Sequence, residues 1–248
     1  MREKKDKGRD KRQGFPERPD AGILDDLLKG GRISNAAGLA GELKEIEEVT
    51  ELCGLRFNGY LAKIETPRPR GTLDEVMVAF TGKAAGAEGN LEIEEIRKRI
   101  TGRKVLASGI VQTLKDFKSG RVLVFILANF IRTAENPMMQ DDVALRGVIV
   151  RDPVYRTTPK GRRITELFVT VENVITGAGC HIPCICWQAD ADEAALWRKG
   201  DTVELLGRYQ SRRYEKVIDA DSGGRERRTA HEISVRLIKR KERSGNED

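Results

Sequence analysis

Residues 143–161 read VALRGVIVRDPVYRTTPKG. An apolar run is broken by Arg146, crosses Gly147 and ends in the charged turn Arg151-Asp152-Pro153, with a second turn at Pro159–Gly161. A glycine inside a strand weakens it, and is kept where the strand bends sharply or another backbone comes close. A small closed barrel needs such bends. The stretch therefore reads as a bent first strand followed by a basic hairpin.

The residues downstream extend that reading. RRITELFVTVE, CHIPCICW, DTVELLGRYQSRRYE and AHEISVRLIKRK are rich in β-branched, aromatic and alternating apolar residues, as strands are. The helix candidate DADEAALWRKG falls before DTVELLGRYQSRRYE, and the acidic Asp190, Asp192 and Glu193 at its start offset the helix dipole. The first half follows the same plan. RFNGYLAKIE, DEVMVAFT, KVLASGIVQTL and RVLVFILANFIR read as strands, with NLEIEEIRKRI as the internal helix. Gly59 parallels Gly147, Gly109 parallels Gly207 and Phe117 parallels Tyr214, so the chain reads as two divergent copies. Five strands with a helix between the third and fourth are the arrangement of the OB-fold. The expected fold is all-β, with two tandem OB-fold five-stranded barrels and a short N-terminal helix. The expected units are a disordered basic arm (1–34), an amphipathic helix (35–54), a divergent barrel (55–134) and a linker (135–141), then a second barrel (142–240) and a polar tail (241–248). The helix rests on Leu39, Leu43, Ile46 and Thr50, spaced as on one helical face.

Composition narrows the function. The 248 residues carry a net charge of +6, 39% are hydrophobic and 34% charged, which suits a cored protein with an anionic partner. The longest apolar run, VLVFILANFI, is about half of the roughly 20 residues that a membrane span needs, and no apolar stretch follows the charged N-terminus. A cytoplasmic, nucleoid-associated protein is expected. Cys180, Cys184 and Cys186 lie beside His181, but no second pair stands at zinc spacing, so buried thiols are the better reading. Neither a nucleophile–base set nor a phosphate-binding glycine loop is present, so no enzyme, cofactor or metal is expected.

The basic residues point further. Arg146, Arg151, Arg156 and Arg162 crowd the first hairpin of the second half. Arg208, Arg212 and Arg213 lie beside Tyr209 and Tyr214. Cations interleaved with rings suit single-stranded nucleic acid, the cations following phosphates and the rings stacking on bases. A solvated charged face is the alternative on charge alone. Trp187 reads as either core or platform.

LRGVIVRDPVYRTTPKGRRITELFVTVEN, HIPCICWQ, KGDTVELLGRYQSRRYE and TAHEISV together resemble the bacterial single-stranded DNA-binding protein family over roughly residues 142–238. The resemblance implies that Trp187 and Tyr214 stack on bases and that His181 stands where an aromatic is usual. It places Arg146, Arg151, Arg156, Arg208, Arg212 and Arg213 near phosphates, and sets Ile175 in a short loop where the family stacks a base. In the first half, Lys115, Phe117 and Lys118, with Phe80, are the nearest equivalents of a binding surface. The family's acidic C-terminal recruitment tip has no counterpart in KRKERSGNED. Two-barrel chains of this kind pair to give four barrels, so a homodimer is implied. The expected function is sequence-independent binding and protection of single-stranded DNA in replication, recombination or repair. An oligomerisation or replisome adaptor with weak strand binding is the alternative.

Overall fold

The computed structural model describes residues 34–68, 71–86, 93–135, 137, 141–217 and 225–241. Apart from Ser34 and Lys241, the expected arm and tail lie outside the described residues, as does part of the expected linker. The strands are β1 (Asn35–Leu52), β2 (Leu55–Pro67), β3 (Leu73–Phe80), β4 (Lys104–Lys115) and β5 (Val122–Thr133), then β6 (Asp141–Ile149), β7 (Val154–Thr157), β8 (Arg163–Glu172), β9 (Gly179–Trp187), β10 (Thr202–Val217) and β11 (Arg225–Arg240). Helix α1 (Ile93–Ile100) lies between β3 and β4, and α2 (Ala189–Ala194) between β9 and β10.

The eleven strands form one sheet that closes on itself twice. In the first closure β1, β2, β3, β5 and β4 pair in turn and return to β1; in the second, β6, β8, β9, β11 and β10 return to β6. Strand β7 is added as a hairpin on β8. Each barrel is closed by one parallel pair, β3 with β5 and β9 with β11. A helix precedes β4 in the first barrel and β10 in the second. The fold is all-β with two five-stranded barrels of OB topology, as expected. Leu43, Ile64, Phe80 and Ile126 fill the first interior, and Leu145, Leu167, Cys184, Leu205 and Ile233 the second. Burial pushes the Cys184 and Cys186 thiols up.

The expected helix over 35–54 is instead strand β1, the first strand of the first barrel. Its helical spacing has a local cause. Register shifts fall between Leu43 and Glu45 and again between Val49 and Glu51. Each bulge inserts a residue, so the step from Leu43 to buried Ile46 is three residues rather than two. Helix-favouring Ala, Leu, Glu and Lys are overridden because β1 is hydrogen-bonded to β2, β4 and β6. The repeat shifts accordingly. The counterpart of Gly147 is Gly41, not Gly59: a Cβ on either would collide with a carbonyl of the second strand of its own barrel, Glu65 or Thr170. The parallel of Gly109 with Gly207 stands, each at a register shift against the fifth strand.

The barrels are joined through backbone. Strands β1 and β6 pair antiparallel from Asn35 opposite Leu145 to Leu39 opposite Asp141. Beside this seam, buried Asp74 of β3 accepts Arg68, Arg208 and the Ser211 N–H. Burial works against its ionised form, but the Arg68 and Ser211 hydrogen bonds and the Arg208 charge outweigh it, so the carboxyl lies below its usual range. Tyr209 is buried and donates its hydroxyl to the Val124 carbonyl at 2.5 Å.

Candidate nucleic-acid interface

A groove of about 1120 Å³ runs between the barrels. One wall is the β4–β5 hairpin of the first barrel; the others are the outward face of β8 and β9 and the long β10–β11 arm. From β9, His181, Pro183, Cys184 and Ile185 line the groove, and of these His181 is exposed.

The hairpin tip holds Phe117 firmly. Asp116 Oδ1 accepts the N–H groups of Lys118 at 2.8 Å and Ser119 at 2.6 Å, while the Asp116 N–H donates to the Arg121 carbonyl at 2.7 Å. Those N–H groups, Ser119 first, hold the Asp116 carboxyl below its usual range. The Phe117 ring, 75% exposed, leans on the backbone of Gly54, where a Cβ would meet it at 3.1 Å. Lys115 lines the groove beside it, and Lys118 is exposed on the same turn.

Across the groove, Tyr214 is 36% exposed and the Arg212 guanidinium lies 5.5 Å from its ring centre. Arg151 stacks over the Phe168 ring at 3.8 Å. The structure thus brings Arg151, His181, Tyr214, Lys115 and Phe117 to one groove, and adds Phe168, Arg121 and Arg228. The period-two pattern of ITELFVTV carried a signal for Phe168, which takes an outward position between buried Leu167 and Val169. No spacing in the sequence pointed to Arg121.

Most of the other expected arginines are paired with carboxylates, two of which, Glu166 and Glu232, line the groove. Arg146 Nε donates to buried Glu204 at 2.6 Å, and Glu204 also faces Lys239 and Lys241. Arg208 is taken up by Asp74 and by Gln210 at 2.8 Å. Arg213 reaches across to Glu75 of the first barrel. Arg156 pairs with Glu166, and Arg212 stands 3.8 Å from Glu232. Arg162 lies exposed in the turn after Thr158. Trp187 is half-buried, and its Nε1–H donates to Ser234 Oγ at 3.0 Å, which ties the indole edge to β11. Phe80 is fully buried against Tyr60.

The loop that carries Ile175 has a different task from stacking. Asn173 donates to the Thr113 carbonyl at 2.9 Å, Gln112 accepts the Val174 N–H at 3.0 Å, and Ile175 packs against Leu52, Leu114 and Phe125. The loop is a clasp between barrels, so an aliphatic residue suits it.

Residues 141–240 match the Single-strand binding protein family. Single-stranded DNA-binding protein 1 of Staphylococcus aureus (strain COL) is 34% identical over 83 residues, 31% of this chain and 50% of that protein. Single-stranded DNA-binding protein A of Bacillus subtilis (strain 168) is 30% identical over 83 residues, 31% of this chain and 48% of that protein. The chain thus spans about half the length of the curated relatives it matches. Among solved structures, the wild-type single-stranded DNA binding protein from Thermus aquaticus superposes with a TM-score of 0.60 at 19% identity, covering 86% of this chain and 96% of that one. That likeness, a likeness of fold, takes in both barrels, whereas the sequence matches are shorter.

Proposed function

We propose, for a chain whose second barrel belongs to the single-strand binding protein family, that it binds single-stranded DNA without sequence preference and performs no catalysis. The observation that carries this reading is the inter-barrel groove, which is lined by the rings of Phe117, Phe168, His181 and Tyr214 together with Lys115, Arg121, Arg151 and Arg228. Rings give bases a stacking surface whatever their identity, and cations follow the phosphates. Coating of strands during replication, recombination or repair, in the cytoplasm and at the nucleoid, is the setting this chemistry suits.

Two copies pairing into a four-barrel assembly complete the reading. The apolar group of Ala144, Leu206 and Leu237, on the sheet away from the barrel interior, supports such pairing. Titration of the full chain with oligo-dT of increasing length, read by tryptophan fluorescence, tests the binding. Tight binding that weakens steeply with salt is expected, because neutralised phosphates release counterions. Absence of binding at low salt would sink the reading. Sedimentation of the free protein tests the pairing, with twice the chain mass expected.

A further inference from the structure

The tip of the first barrel's hairpin meets the second barrel's arm at one carboxylate. Arg121, at the end of the β4–β5 turn, donates Nη2 to Glu226 Oε1 at 2.5 Å. Arg228, two residues along β11, donates to Glu226 Oε2 from Nε at 2.9 Å and Nη2 at 2.7 Å. Both carboxylate oxygens are used, and the two guanidinium groups come from different barrels. Arg228 is the cross-strand partner of Tyr214, and both line the groove with Arg121 and Phe117. All three charged side chains reach solvent, from 22% exposed for Arg228 to 56% for Arg121.

Two guanidinium groups converging on one anion, in a groove also lined by Phe117 and Tyr214, suit a backbone phosphate whose neighbouring bases stack. Arg228 first, and then Arg121, hold the Glu226 carboxyl below its usual range, so it is ionised at neutral pH. Glu166 and Glu232 oppose Arg156 and Arg212 within the second barrel. Glu226 does the same across the junction.

We propose that Glu226 is a phosphate surrogate, holding Arg121 and Arg228 together across the groove in the free protein and yielding its place to a backbone phosphate when a strand enters. This rests on the single-strand reading above, and adds to it a subsite shared by both barrels and an internal competitor that sets affinity. A phosphate that enters gains the two guanidinium groups, and Glu226 loses them. The exchange is nearly balanced in charge, and the released carboxylate takes up a cation. Net ion release is therefore smaller than the number of phosphates contacted would give.

The test is a salt series of oligo-dT titrations on the full chain, comparing wild type, Glu226→Gln and Glu94→Gln. Glu94 pairs with Arg97 on α1, outside the groove, so its variant removes the same charge elsewhere. Glu226→Gln is expected to tighten binding about threefold to fivefold at low salt, the scale of an exposed ion pair, and to steepen the log–log salt slope by about one. Glu94→Gln is expected to leave both near wild type. Adding Arg121→Ala to Glu226→Gln is expected to abolish the gain. The proposal is overturned if Glu226→Gln changes nothing, if Glu94→Gln tightens binding as much, or if the double variant keeps the full gain. Failure of the wild type to bind at all is a separate result, which removes the proposed function and the surrogate role of Glu226 with it.

Discussion

The two barrels follow one plan and diverge where the fourth strand turns into the fifth. In the first, β4 and β5 are 12 residues each and end in the tight turn around Asp116. In the second, β10 and β11 are 16 residues each, and the excess forms an arm laid along the first barrel. Arg208, Ser211 and Arg213 of that arm reach Asp74 and Glu75, and Glu226 reaches Arg121. The extra strand length carries contacts between the barrels. Two of the arginines that the sequence suggested for DNA, Arg208 and Arg213, also join the protein's own halves.

Removing the anchor of the arm should have the largest effect. Asp74→Ala leaves Arg208 and Arg68, each mostly buried, without their carboxylate. A loss of about 3 kcal/mol in urea unfolding is expected, on the scale of breaking a buried pair. A loss well below 1 kcal/mol, on the scale of an exposed pair, would show that the arm does not depend on it.

The next effect separates the two groove walls. Tyr214→Ala is expected to cost about 2 kcal/mol of oligo-dT affinity at every length that binds, and Phe117→Ala a similar amount only for longer oligomers, following the value of one stacked base. Equal losses at the shortest binding length would place both rings on the same few nucleotides.

Asp141 opens β6 at the seam, and its Oδ2 has no hydrogen-bond partner among the described residues. Burial, opposed by the Tyr209 N–H and Arg208, raises its carboxyl to about 7. A raised folded value means the stabilising protonated form is fully present below the unfolded value near 4 and is lost as pH rises through about 7. Stability should therefore fall across that window, by at most about 1.4 kcal/mol per pH unit, the value for one proton. Asp141→Asn should remove that contribution to the slope, which differential scanning of both proteins at several pH values would read.

The smallest effect is expected at Trp187. Trp187→Phe loses the hydrogen bond to Ser234 and should cost about 1 kcal/mol of stability. Its effect on DNA affinity should be well below that of Tyr214→Ala. If the order is reversed, the indole stacks on bases despite its tether to β11.

Much of the second barrel was legible in the sequence because its strands alternate cleanly and its turns carry Pro and Gly. Gly147 announced the bend, and Phe168 stood at an outward position. Strand β1 was not legible, because its two bulges turn a period of two into a period of three or four and its residues favour helix. The site was half legible. Residue type and spacing find a cation, but the carboxylate that neutralises it is brought near only by folding. Arg208 and Asp74 are 134 positions apart, and Arg121 and Glu226 are 105. Trp187 on β9 and Ile175 in the β8–β9 loop show the same limit, since their places in the chain were readable and their partners were not.

The seam of β1 and β6 has a consequence for dilution. Identical subunits that share a sheet in this way separate once their concentration falls below the dissociation constant, and each substitution at their interface counts twice about the symmetry axis. Here both strands belong to one polypeptide, so the effective concentration of one edge for the other is fixed by the linker, not by expression level. The seam stays closed at any abundance. Each edge is also free to change alone, so Asn35 opposite Leu145 and Leu39 opposite Asp141 need not mirror one another.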